Sequence, residues 1–198
     1  MSKDVNSIYK DYKMKILNGK LCYLTSFEDN HLKDPSYLRW LRDYDVIKTI
    51  NRLDYLVPCS RTQIENYVQE LQQSNKDIYL AIIENSENKF IGTFRIANIN
   101  WFTRVSELGV LIGEKDYWGM GIGKDAVRTA SHYLFTVLGM RKLVANHMAV
   151  NPSMGRVFES LGFKIEGNFI KQDFFEGEYV DHLYYGCFKD DFLRKYKP

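Results

Sequence analysis

Tyr117-Trp118-Gly119-Met120-Gly121-Ile122-Gly123-Lys124 is the stretch on which the fold of this 198-residue chain turns. Glycines at alternate positions let the main chain approach a ligand closely and gather several N–H groups into one concavity. Directly after them Ala126, Val127, Ala130, Leu134, Val137 and Leu138 recur at helical spacing, and Gly139 stops the run. A helix N-terminus behind the concavity adds partial positive charge, so a pyrophosphate suits it. A glycine-rich turn that merely reverses the chain stays open as the plainer alternative. A dinucleotide fingerprint should open the first βαβ unit, with an acidic residue about 20 residues on, whereas strand candidates precede this loop. A P-loop needs Lys followed by Ser or Thr, and Lys124 is followed by Asp125.

Upstream, Ile78 to Glu84, Phe90 to Ile99 and Val105 to Gly113 read as three strands joined by short polar connections, an antiparallel meander. Before them, Ser60 caps a helix whose Ile64, Tyr67, Val68 and Leu71 form one buried stripe. Leu21 to Phe27 reads as a first strand, and Pro35 to Asp43 as a short helix with proline in its first turn. Downstream come a strand from Arg141 to Val150, a helix from Ser153 to Leu161 ended by Gly162, and a hairpin of Phe163 to Gln172 with Tyr179 to Phe188. Strand, helix, strand is a crossover, so the expected class is α/β with a mixed, mostly antiparallel sheet containing one parallel step. No linker divides the sequence. Residues 1–18 read as a polar leader and residues 19–198 as a single domain.

Hydrophobic residues make up 45% of the chain and charged residues 26%, the balance of a globular domain with a full-sized core. A formal charge of +2, with Lys and Arg spread along the chain, calls for no nucleic-acid partner. Cys22, Cys59 and Cys187 are too scattered for a disulfide framework, and the four histidines form no ligand-spaced pair, so no metal is expected. No run approaches the ~20 apolar residues of a membrane span, and no apolar segment follows Met1, so the expected location is the cytoplasm. Oligomeric state is not readable.

The segment from Trp118 to Gly123 resembles the Arg/Gln-x-x-Gly-x-Gly/Ala signature of the GNAT acyltransferases, with Trp118 at the Arg/Gln position and Gly121 and Gly123 at the glycine positions. Trp at that position, with Glu107-Leu108-Gly109, Ala145 to Asn151, Leu161-Gly162-Phe163 and Gly177 to His182, resembles the ribosomal-protein alanine N-acetyltransferase branch more closely. These matches run in order from about residue 20 to residue 188. The resemblance implies about seven strands, helices on both faces, and a splay between the family's fourth and fifth strands that receives acetyl-CoA. By the same resemblance, backbone at Leu111, Ile112 and Gly113 holds the pantetheine arm. Trp118, Gly119, Met120, Gly121, Ile122, Gly123 and Lys124 hold the pyrophosphate, and Asn151 and Phe158 face the cofactor arm. The implied activity is acetyl transfer from acetyl-CoA to a primary amine, a protein N-terminus or a small molecule. Two alternatives are an amino sugar carried on a nucleotide and a non-catalytic acyl-CoA-binding module.

Acetyl transfer to an amine needs a neutral nitrogen, which for an amine of pKa about 10.4 calls for a base. Glu107 is the candidate, on the strand leading to the cofactor and on the opposite face from Leu108, Val110 and Ile112. A carboxylate held in a surface ion pair is the alternative. Two positions where the family often carries a hydroxyl hold Met154 and Phe158, neither of which donates a proton. Water or another hydroxyl, such as that of Tyr184, is left for the thiolate. His147 is expected as a satisfied part of the sheet, and Asp181 as a structural or substrate-side carboxylate. Trp101 and Phe102 are expected to pack under their loop, with the acceptor pocket as the second choice. Acceptor specificity is expected in Asn30 to Ser60 and Asn168 to Glu178.

Overall fold

A computed structural model describes residues 17–50 and 60–196. Sixteen of the eighteen leader residues, and Cys59, lie outside the described residues; the last two leader residues, Leu17–Asn18, form strand β1. After it come β2 (Cys22–Ser26), three short helices α1 (Asp29–Lys33), α2 (Pro35–Trp40) and α3 (Tyr44–Ile47), and the longer α4 (Arg61–Gln73). The meander is β3 (Ile78–Glu84), β4 (Lys89–Asn100) and β5 (Val105–Ile112). Helix α5 (Ile122–Thr136) then crosses to β6 (Lys142–Met148), followed by α6 (Pro152–Ser160), the hairpin β7 (Lys164–Phe175) and β8 (Glu178–Phe188), and α7 (Lys189–Lys195). The eight strands form one sheet in the order β1-β2-β3-β4-β5-β6-β8-β7. β5 and β6 pair in parallel; the other neighbours pair antiparallel.

The two sheet faces carry separate cores. On one, α5, α6 and α7 cover Leu24, Ile82, Phe94, Leu108 and Leu143 with Ala126, Ala130, Leu134, Phe158 and Phe192. On the other, α2 and α4 lay Tyr37, Trp40, Ile64 and Val68 over Ala81 and Ile83. The alternation of β3 explains how one strand feeds both, since successive side chains point to opposite faces. Helix α4 begins as the sequence predicts: Ser60 accepts from the Gln63 amide at 3.2 Å and Gln63 returns a bond to the Ser60 amide at 2.7 Å, a reciprocal cap. Helix α5 ends at Thr136, so Val137, expected in its buried stripe, is exposed.

One buried carboxylate ties the crossover helix to the sheet. Asp125 accepts from the amides of Leu21 at 2.7 Å and Cys22 at 3.3 Å, and pairs with Arg128. The residue that breaks the P-loop pattern therefore anchors the start of α5 to β2. Beside it, burial and the Asp125 charge push the Cys22 thiol up to about 12.

Candidate active site

β5 and β6 stay in register from Val105↔Lys142 to Leu108↔Ala145 and then part, although β5 runs on to Ile112 and β6 to Met148. Past Leu108 one edge of β5 therefore faces an opening instead of a strand. Gly113 donates its N–H to Ile91 at 2.8 Å, on the β4 side. In an antiparallel pair the backbone groups alternate sides, so Leu111 shares that commitment, while Val110 and Ile112 turn their N–H and C=O toward the opening. Of the backbone groups expected to hold the pantetheine arm, those of Leu111 and Gly113 are thus directed to β4, while those of Ile112 face the opening together with Val110. Gly113 is needed for another reason: a Cβ there would stand 2.0 Å from Cδ2 of the buried Trp40.

The glycine loop closes the outer end of the opening. The Trp118 indole donates to the Ile112 carbonyl at 2.8 Å, clasping the loop to the end of β5. Gly119 at φ +75° and Gly121 at φ +84° adopt the left-handed conformation that favours glycine. Gly121 is the N-cap of α5 and has no side chain to occupy the first-turn amides, so those donors face outward. A Cβ on Gly119 would meet nothing within 4 Å, and one on Gly123 only Ile112 Cγ1 at 3.9 Å. The space over the loop is therefore free of protein, as an approaching phosphate requires. Met120 and Lys124 are exposed beside it, and Ile122 is buried as the helix's first anchor.

Glu107 lies in the last paired stretch before the opening, opposite Val144 and on the face away from Leu108. Its Oε1 accepts from Asn146 Nδ2 at 2.7 Å and its Oε2 from Asn98 Nδ2 at 3.0 Å. Asn98 reaches it because β4 is irregular between Ala97 and Asn100, with Asn98 at φ +53°. Among the described residues its partners are two neutral amides and not the surface ion pair of the alternative. Asn146 in turn meets His182 Nε2 at 2.9 Å through its Oδ1, and His182 Nδ1 meets Asp173 Oδ2 at 2.5 Å. Sequence reasoning missed Asn98, Asn146 and Asp173, and passed over His182, because strand offsets created by irregular pairing bring them together.

Other expected residues fall elsewhere. Phe158 is 2% exposed and packs against Phe163 and Tyr185, each ring centroid 5.6 Å away, so it belongs to the core. Asn151 caps α6 by accepting from the Met154 amide at 3.4 Å and donates to Thr49 at 3.3 Å, which ties the segment after β6 to the region following α3. The Tyr184 ring lies tilted against those of Phe169 and His182, with centroids 4.6 and 5.0 Å away. The hydroxyl beside Phe158 is instead that of Tyr185, 3.3 Å from His147 Nε2. His147 itself is buried, its Nδ1 2.7 Å from the Met148 carbonyl, and burial lowers its pKa so that it stays neutral. Asp181 accepts from the Lys171 amide and from Asn168 Nδ2, both at 2.8 Å, bonds that hold its carboxyl below the usual range and fix the irregular part of β7. Trp101 and Phe102, expected under their loop, are on the surface, Phe102 at 96% exposure. The Tyr44 hydroxyl donates to Glu176 at 3.2 Å, joining α3 to the tip of the β7–β8 hairpin.

Comparison with known proteins agrees with this arrangement. Residues 23–164 match the acetyltransferase (GNAT) domain model. The spermidine N(1)-acetyltransferase of Vibrio cholerae is 27% identical over 100 residues, covering 50% of this chain and 57% of the relative. Its Escherichia coli counterpart is matched over 66% of its length, so the chain spans less than two thirds of both. The probable N-acetyltransferase YjcK of Bacillus subtilis is 28% identical over 84% of this chain and 93% of its own. A solved V. cholerae spermidine N-acetyltransferase in complex with CoA and spermine superposes with a TM-score of 0.78 over 87% of this chain and 98% of the other, at 19% identity. These relatives are spermidine and unassigned N-acetyltransferases, so the resemblance holds at the level of the family and not of the ribosomal-protein alanine branch. Among the described residues no helix is long and apolar enough to cross a membrane.

Proposed function

The chain belongs to the GNAT acetyltransferase family, and from that premise we propose that it transfers the acetyl group of acetyl-CoA to a primary amine of a small aliphatic polyamine. The observation that carries this reading is the Glu107 carboxylate, held by two amides where β5 and β6 begin to part, with the glycine loop at the open end of the splay. The loop from Trp118 to Lys124 offers main-chain amides to the pyrophosphate, and the free edge at Val110 and Ile112 offers partners to the amides of the pantetheine arm. Glu107, with water or directly, takes the proton as the neutral amine nitrogen attacks the thioester carbonyl. A C–N bond forms, the C–S bond breaks, and the electron pair leaves with sulfur as the CoA thiolate. A thiol pKa of about 8.5 makes that leaving group good enough to depart without a side-chain acid at positions 154 or 158. Spermidine is the first acceptor to test, because two of the relatives act on it by name.

The test pairs calorimetry with CoA against release of free thiol from acetyl-CoA across spermidine, spermine, an Ala-initiated peptide and a nucleotide-linked amino sugar. CoA binding with turnover on the polyamines supports the proposal. Turnover confined to the peptide or the sugar replaces the acceptor, and CoA binding without turnover on any amine replaces the enzyme with an acyl-CoA-binding module.

A further inference from the structure

A continuous polar chain crosses five strands on the face that carries Glu107: Asn98 on β4, Glu107 on β5, Asn146 on β6, His182 on β8 and Asp173 on β7. We propose that His182 and Asp173 are positioning residues which lock the Asn146 amide with its N–H₂ end toward Glu107, and so keep the base aimed; this rests on Glu107 being the base.

The argument is one of donors and acceptors. An ionised Glu107 can only accept, so the Asn146 amide must present Nδ2 to it, as the 2.7 Å bond shows. The amide oxygen then turns to His182, and because that oxygen only accepts, His182 Nε2 must carry a hydrogen. Nothing in Asn146 itself enforces this choice, since its two ends have nearly the same shape. A half-turn of the amide would set oxygen against oxygen, lose the bond that aims the carboxylate and let the side chain turn away. The ring that enforces the choice is fixed in turn. Asp173, buried in β7, holds Nδ1 at 2.5 Å, and the Tyr184 ring lies 5.0 Å from the imidazole. Asp173 can face inward because pairing between β7 and β8 shifts between Phe169 and Asp173, the shift that Asp181 stabilises through Asn168 and Lys171. The chain is buried at its Asp173–His182 end and half-buried at Asn146 and Glu107, and in a linked polar chain removing one member changes what the others can do.

The experiment measures kcat, KM and CoA affinity in full-length His182→Phe, Asp173→Ala, Asp173→Asn and Glu107→Gln, and in His182→Phe combined with Glu107→Gln. His182→Phe keeps the ring shape and removes the donor; kcat is expected to fall roughly tenfold or more with CoA affinity unchanged. On the Glu107→Gln background the same change is expected to alter kcat less than about twofold, because no carboxylate remains to be oriented. Asp173→Asn can donate from its amide to Nδ1 and still leave the hydrogen on Nε2, so it is expected to recover most of the turnover that Asp173→Ala loses. Asn146→Leu removes the same link at a half-buried site and is expected to show the same dependence on Glu107, which keeps the proposal testable should His182→Phe not fold. Equal losses with and without Glu107, or normal turnover in His182→Phe beside a crippled Glu107→Gln, would overturn the positioning role alone. Near-normal turnover in Glu107→Gln would overturn the base assignment and the proposal built on it.

Discussion

Replacing Glu107 with Gln separates chemistry from architecture at this site. The substitution keeps the shape of the side chain and exchanges one acceptor oxygen for an N–H₂ group. One of the two amide partners must then face a donor with a donor. Asn98 is exposed, so its amide can turn and offer its oxygen, while Asn146 stays fixed by His182. The cost to stability is accordingly expected to be under about 1 kcal/mol, since a re-formed neutral bond replaces one to a charge. The cost to chemistry is larger: losing a positioned base costs roughly 10² to 10⁴ in kcat/KM, or about 2.7 to 5.4 kcal/mol of barrier. An amine of pKa about 10.4 is neutral in roughly one molecule per thousand some three pH units lower, which the base must offset in the wild type. Raising the pH supplies neutral amine without it. The assay is free-thiol release from acetyl-CoA at saturating spermidine and low spermidine across the pH range, with circular dichroism to verify folding. The variant's kcat/KM is expected to climb about tenfold per pH unit up to the amine pKa, closing on the wild type. A folded Glu107→Gln protein with near-normal turnover at neutral pH would refute the reasoning and return Glu107 to a structural role.

Three further outcomes are expected. Gly123→Val meets only Ile112 Cγ1 in the protein, so it should stay folded, yet its branched side chain intrudes on the pyrophosphate space and should weaken CoA binding at least roughly tenfold by calorimetry; unchanged affinity would count against the loop. Asp125→Ala strips the acceptor from the Leu21 and Cys22 amides and unpairs Arg128, a loss of about 3–5 kcal/mol that should lower Tm by roughly 6–20 °C in a thermal melt. The bonds to Asp181 depress its pKa in the folded state, so its contribution is present above the unfolded value of about 3.9 and is lost as pH falls through the lower folded value; Asp181→Asn should lower Tm slightly at neutral pH and leave it nearly unchanged in acid, which flattens the acid side of the Tm profile.

The elements legible in the sequence are those in which one period dominates. Strand β3 spans the expected residues and helix α4 begins at its expected Ser60 cap, because a 3.6-residue stripe and a solid apolar run need no tertiary context. Helices α1 and α3 span 5 and 4 residues, too short for a period, and their starts rest on the side chains of Glu28 and Asp43 instead. Helix α7 hides among Lys, Asp and Arg, with Phe192 as its buried anchor. The same divide runs through the site. The glycine loop is local and could be read directly, as could the face of Glu107. The polar chain could not, because it joins residues from 9 to 39 positions apart through two register shifts that no spacing rule encodes. Phe158 misled for the opposite reason: its position matched the signature, but an aromatic ring without a hydroxyl gains more from burial among Phe163 and Tyr185 than from a polar cleft.

From β2 to β7 the sheet is paired least at the proposed site. Four residue pairs join β5 to β6, against seven between β3 and β4 and seven between β6 and β8. Mechanically the molecule is two stiff antiparallel panels, β1 to β5 and β6 to β8, stitched by one short parallel seam with α5 as the strap across it. A load applied across that seam widens or narrows the cleft without breaking a strand inside either panel. Amide exchange should therefore be slowest inside the panels and faster along the seam, so that cleft width is the soft coordinate of the molecule. Any molecule bridging β5 and β6 would act as a stitch extending the seam, stiffening the whole sheet from its middle outward.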